Sequence, residues 1–182
     1  MPEYITKDDI EQYLLIDIDE SFHERIKSWI QAISNYIDKQ TNRTFEVSED
    51  EKRLFDGSGA RELTIDDLIK ITKIEIGDAE VDLDNYYLYP ANTIPKTLIK
   101  GYFPAGTQNV AITGDWGYAE EVPEDIKFVC TVLVSGIIQQ SLSHEGEVKS
   151  ESVGSWSITY KDEKQWRDFE RIESILERYK RY

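Results

Sequence analysis

A single cysteine, Cys130, stands in 182 residues. No intramolecular disulfide can form, and nothing in the chain calls for an oxidising compartment. Histidine is nearly as scarce, with only His23 and His144. No serine or cysteine sits in a nucleophile motif, so a Ser–His or Cys–His catalytic arrangement is not expected. Phosphate-cradling loops are missing too: Gly57-Ser58-Gly59 lacks the trailing Lys of such a loop and reads as a hairpin turn. Long apolar runs are absent. The most apolar stretch, 128–138, is interrupted by Thr131, Ser135 and Gly136, and falls well short of the roughly 20 residues a membrane span needs. The opening MPEYITKDDIEQYLL has no basic stretch leading into an apolar one, so no signal peptide is expected. The reading is a soluble protein with no membrane partner.

Positive charge is also short. The chain has 36 acidic and 21 basic residues, a net charge of −15. Such a field repels nucleic-acid phosphates, which are bound by clustered Lys and Arg. From Lys161 to Tyr182 there are seven basic and six acidic residues, so the first 160 carry 14 basic against 30 acidic. The acidic character lies in the body, and the tail is nearly balanced. The alternating Asp78, Glu80, Asp82 and Asp84 lack the central Gly and terminal Glu of a calcium loop. They read as a turn with solvated carboxylates. The pairs Asp66-Asp67 and Glu120-Glu121 are expected at the surface, since such pairs arise by chance in so acidic a chain. No metal or cofactor is expected, and no catalytic residue is identified.

What is present is a clear order of parts. Thr6 before Asp8 and Asp9 predicts a short capped helix ending near Leu15. Ser21 and Glu24 have capping-box spacing, ahead of an apolar stripe of Ile26, Trp29, Ile30, Ile33 and Ile37 that predicts a helix to about Gln40. From Phe45 to Tyr118 turn signals separate short β-prone runs, with candidate strands at 53–55, 71–76, 86–89, 98–102 and 110–113. Ile69 and Ile71 are out of phase with Ile74 and Ile76, which predicts either a bulge between them or a strand that begins after Ile71. Pro123 opens a helix that is apolar nearly all round and so must be buried on several sides. A polar loop follows at 143–152, expected to be mobile, then a possible strand at 153–160. The final helix is expected from about Glu163 to Tyr179.

The fold class expected is α+β. The helices form a bundle, with a long N-terminal helix, a buried central helix and a C-terminal helix, and a small, mostly antiparallel β module is inserted at 44–118. The whole of 1–182 is read as one domain.

The stretch Thr113-Gly114-Asp115-Trp116-Gly117, followed by Val122-Pro123-Glu124-Asp125-Ile126-Lys127, together with this order of parts, resembles the head–tail connector, or adaptor, proteins of tailed bacteriophages and prophages. The resemblance spans about Thr6 to Tyr182. It implies a structural, non-enzymatic head-completion protein at the head–tail interface of the virion, assembled in the host cytoplasm. It further implies a ring of about a dozen copies beneath a portal protein, with a tail or stopper protein docked below and DNA passing through without specific binding. On that reading Gly114, Trp116, Gly117 and Pro123 form the joint between the β module and the helices. Arg178, Tyr179, Lys180, Arg181 and Tyr182 are candidates for the portal interface. His144, Glu145, Gly146 and Glu147 are candidates for a loop used in assembly. The competing reading is a monomeric module that binds a sugar or peptide on exposed aromatics, Trp116 and Trp156.

Overall fold

The computed structural model describes residues 1–143 and 163–181, apart from the side chains of 142–143 and 163–169. The chain divides into two compact units, Met1–Asn42 with Glu124–Tyr182, and Arg43–Pro123.

The first unit is helical. Helix α1 spans Lys7–Leu14 and opens on a reciprocal capping box: the Thr6 hydroxyl accepts from the Asp9 N–H, and the Asp9 carboxylate accepts from the Thr6 N–H. It closes at Leu15, which adopts a left-handed backbone (φ 56°). One 3-10 turn, Glu20–Phe22, leads into α2, His23–Thr41. The 3-10 turn is capped by Asp19, whose side chain accepts from the Ser21 N–H at 2.8 Å; α2 itself starts after Phe22 with no side-chain cap, so the capping box expected of Ser21 and Glu24 does not start this helix. Helix α2 buries Ile26, Ile30, Ile33 and Ile37 along one face.

Helix α3 runs Glu124–Ser143 and α4 runs Glu163–Tyr179. Within this unit α3 is packed by α1, α2 and α4, which is why it can be apolar on most sides. Ile126, Val129, Cys130 and Val134 are fully buried. Ile172, Ile175 and Leu176 supply the buried stripe of α4; the side chains of Trp166 and Phe169 lie outside the described residues.

The second unit is a sheet. Its strands are β1 (Ser48–Gly57), β2 (Glu62–Ile76), β3 (Ala79–Glu80), β4 (Tyr87–Tyr89), β5 (Lys96–Lys100) and β6 (Gly106–Trp116). They pair antiparallel in the order β1-β6-β2-β5-β4, with β3 on the end of β2. This overturns the expected fold class. The β segment is no small insertion in a helical bundle: it builds a six-stranded antiparallel sheet with its own hydrophobic core. The physical reason is strand length. Strand β2 is 15 residues long and pairs with β5 along its first part and with β6 along its second. One face then buries Leu63, Ile65, Leu68, Ile74, Ile99, Val110 and Ile112 together.

Register shifts occur between Leu68 and Lys70 and again between Ile71 and Lys73. They account for the change of phase among the isoleucines of β2: of the two readings the bulge holds, and a strand beginning after Ile71 does not, since β2 begins at Glu62. The Gly57-Ser58-Gly59 turn, in contrast, is not a hairpin. Strand β6 lies between β1 and β2, so this turn connects two strands that are not neighbours.

Candidate functional site

The sequence places no catalytic group, and the described side chains bring none together. No cluster of three or more His, Cys, Asp or Glu suited to a metal occurs among the described residues. His23 is exposed at the start of α2. Cys130 is fully buried, and burial pushes its thiol up to about 12. A thiol held neutral in this way is not a nucleophile near pH 7. No helix among the described residues is long and apolar enough to cross a membrane.

The most elaborate side-chain arrangement lies where the sheet unit begins and ends. A single guanidinium nitrogen of Arg43 bonds both carboxylate oxygens of Asp67. The same guanidinium lies over the ring of Tyr118 at 5.2 Å, and that ring packs against Phe45 at 5.3 Å. Tyr118 donates its N–H to the Thr44 carbonyl, and Gly117 donates to the Asp67 carbonyl. Residues 43–45, where the chain enters this unit, and 117–118, near its exit, are thereby fastened to each other. Asp67 was expected at the surface with Asp66; it is 5% exposed. Nothing in a two-residue acidic pair distinguishes a buried member from an exposed one, so the sequence offered no signal for this clamp.

The four residues expected at the joint are spread along this region. Gly114 lies within β6, where an added Cβ would sit 2.2 Å from the Lys70 carbonyl oxygen; it serves close strand approach. Trp116 ends β6 and is 1% exposed. Its indole N–H donates to the Glu51 carbonyl at 2.8 Å, its ring stacks on Phe55, and Arg53 lies over it. Gly117 follows at φ 149°, against the backbone of Glu46 and Val47. Pro123 is half-buried immediately before α3.

The far face of the sheet is ionic. Lys52 meets Glu75 at 2.7 Å, and Lys73 bridges Glu75 and Glu80. Hydrogen bonds from Lys52 and Lys73 hold the Glu75 carboxyl below its ordinary range. On the adjacent edge, the Arg53 guanidinium does the same for Glu51.

Of the expected C-terminal surface, Arg178 pairs with Asp125 at 3.0 Å and Lys180 with Glu177 at 3.3 Å. The Arg181 N–H donates to the Thr41 carbonyl at 2.8 Å, which ties the tail to the end of α2. Tyr179 is half-buried. Tyr182, and the expected assembly residues His144, Glu145, Gly146 and Glu147, lie outside the described residues. So does Trp156, with the rest of the expected strand at 153–160.

A family model described as head completion protein matches residues 3–182. The chain belongs to the head completion protein family. The resemblance to phage head–tail connectors drawn from the residues around Gly114 and Pro123 thus holds for nearly the whole chain. No match is found among curated proteins. Among solved structures, this head completion protein is similar to a chain from the neck of an empty gene transfer agent particle computed with C6 symmetry. The two are 12% identical with a TM-score of 0.61, over 98% of this chain and 90% of that one. At that identity the likeness is one of fold.

Proposed function

We propose that this head completion protein is a structural connector at the head–tail interface of a tailed phage or prophage particle. Copies of it form a ring of about a dozen beneath the portal protein. The ring extends the DNA channel and presents the docking surface for the next tail or stopper protein. It resides in the virion and is assembled there from the host cytoplasm, without turning over a substrate.

The observation that carries this reading is the family match across residues 3–182. Three properties support it. A solved chain of the same fold comes from a particle neck. The net charge of −15 suits a channel through which DNA slides without sticking. Among the described residues the most elaborate side-chain arrangement, the Arg43–Asp67 clamp, is a packing device, and the chain's single thiol is held neutral inside the protein. The joint (Gly114, Trp116, Gly117, Pro123), the portal surface (residues 178–182) and the assembly loop (144–147) remain part of this proposal. Burial of Trp116 removes one of the two aromatics on which a sugar- or peptide-binding module would depend.

The test is complementation in particles. A phage deleted for this gene is expected to fill heads that fail to join tails, and the purified protein added to those heads restores infectious particles. Normal head–tail joining without the gene contradicts the proposal.

A further inference from the structure

Among the described residues, eleven large apolar side chains are exposed, and eight of them fall in two short stretches. The first holds Tyr13, Leu15, Ile16 and Phe22, where α1 turns toward α2. Leu15 is 89% exposed and has a positive φ of 56°. That backbone is ordinarily given to Gly or Asn, since a branched side chain is disfavoured there. A leucine at this point, directed into solvent, contributes nothing to the core of its own chain. Its surroundings are acidic: between residues 13 and 24 lie Asp17, Asp19, Glu20 and Glu24, with no Lys or Arg.

The second stretch holds Tyr87, Tyr89, Ile94 and Tyr102. Tyr87 and Tyr89 flank Leu88, which packs on the sheet core, so both tyrosines stand on the opposite face of β4. Strand β4 ends the sheet's strand order, with β5 as its one neighbour there. This region has a compositional mark. From Asn85 through Gly114 the chain contains no Asp or Glu, although it has 36 of them elsewhere, and it carries Lys96 and Lys100.

We propose that these two surfaces are the two halves of one subunit–subunit contact. The acidic apolar tip around Leu15 of one copy seats on the acid-poor tyrosine face around Tyr87 and Tyr102 of the next, where Glu62 of the adjoining strand is paired with Lys100. This rests on the ring reading and says which surfaces make the ring. A cyclic assembly is heterologous: every copy must carry two different, complementary patches. Tip-to-tip pairing would set Asp17, Asp19 and Glu20 of two copies against each other. A chain of charge −15 meets least repulsion where its neighbour has few carboxylates: Lys100 neutralises Glu62, and the Lys96 ammonium, held by the Pro90 and Ala91 carbonyls, adds a positive charge that no carboxylate of 85–114 offsets. Exposed tyrosines suit the receiving face, since they bury large area at low entropic cost and are favoured in interfaces.

The experiment uses two full-length variants, Leu15→Cys and Tyr102→Cys. The native Cys130 is buried and does not compete. They are mixed with a mild oxidant under conditions where the wild type assembles, alone or on its portal protein. The mixture is expected to give a mixed disulfide dimer on a non-reducing gel that neither variant gives alone. Leu15→Asn, which suits the left-handed backbone, is expected to melt no lower than wild type yet to assemble at least tenfold more weakly. If the wild type forms rings while the mixture gives no mixed dimer and Leu15→Asn assembles normally, this contact is wrong and the ring reading stands. If Leu15→Asn forms normal rings that fail only at tail joining, the tip belongs to another protein, and the proposal is overturned. If the wild type forms no ring even on the portal, the ring reading fails and takes this contact with it.

Discussion

Arg43 and Asp67 form a nearly dry ion pair, with one guanidinium nitrogen 2.6 Å from each carboxylate oxygen. Side-chain exposure is 17% for the arginine and 4% for the aspartate. Such a pair contributes little over an apolar pair of similar shape, but losing one partner strands a charge away from water. Asp67→Ala is therefore expected to destabilise the protein by about 3 kcal/mol, and Arg43→Met with Asp67→Leu together by less than either single change. Urea unfolding measures both. A loss below about 1 kcal/mol for Asp67→Ala would show that the pair is solvated and that the entry and exit of the sheet unit are held by other contacts.

Two glycines should respond to the same substitution in opposite directions. At Gly114 a Cβ would meet the Lys70 carbonyl oxygen at 2.2 Å, and backbone cannot move aside cheaply. Gly114→Ala is expected to cost about 2–3 kcal/mol by forcing β6 from β2. At Gly136, in α3, a Cβ would meet nothing within 4 Å among the described residues. Gly136→Ala is expected to stabilise by about 0.5–1 kcal/mol through helix propensity. Thermal melts of the two variants read the difference, and equal shifts would contradict it.

Cys130 is expected to resist thiol reagents in the folded protein and to react once guanidinium unfolds it. Its neighbour is the Ser34 hydroxyl at 3.8 Å, in a site otherwise built by α2 and α3. Because burial raises the folded pKa to about 12 from an ordinary 9.0, the unfolded chain loses its proton first as pH rises. The stabilisation is whole below pH 9 and is lost between there and about 12. Cys130→Ala should flatten the alkaline limb of stability against pH in that window. An unchanged limb, or rapid labelling of the native protein, would mean that the helices around Cys130 open readily.

Helices were legible here because their signals are local. Thr6 before Asp8 and Asp9 marked the start of α1, and the final helix expected from about Glu163 to Tyr179 is α4, Glu163–Tyr179. The irregularity in β2 was legible for the same reason, since four isoleucines changed phase within eight residues, but the pattern alone did not separate a bulge from a strand starting after Ile71. The size of the sheet was not. Strand β1 opens Ser48-Glu49-Asp50-Glu51-Lys52, a charged run with no apolar alternation. It is held by pairing with β6, some 60 residues later in the chain, and by the cross-strand bond from Lys52 to Glu75. Pairing at that distance leaves no local trace, so a six-stranded sheet read as a small insertion. The same holds for the clamp: Arg43 and Asp67 are ordinary charged residues until the sheet brings them together. Trp116 stood out by its place among glycines, but which way it faced depended on Phe55 and Arg53 of β1.

The central claim is that copies of this chain ring a portal. The most direct measurement is electron microscopy of the purified protein mixed with the portal protein encoded beside it. A coaxial ring of this chain, about a dozen subunits, is expected stacked on one end of every portal. Portals that stay bare at high protein concentration, with this chain folded and monomeric beside them, would contradict it.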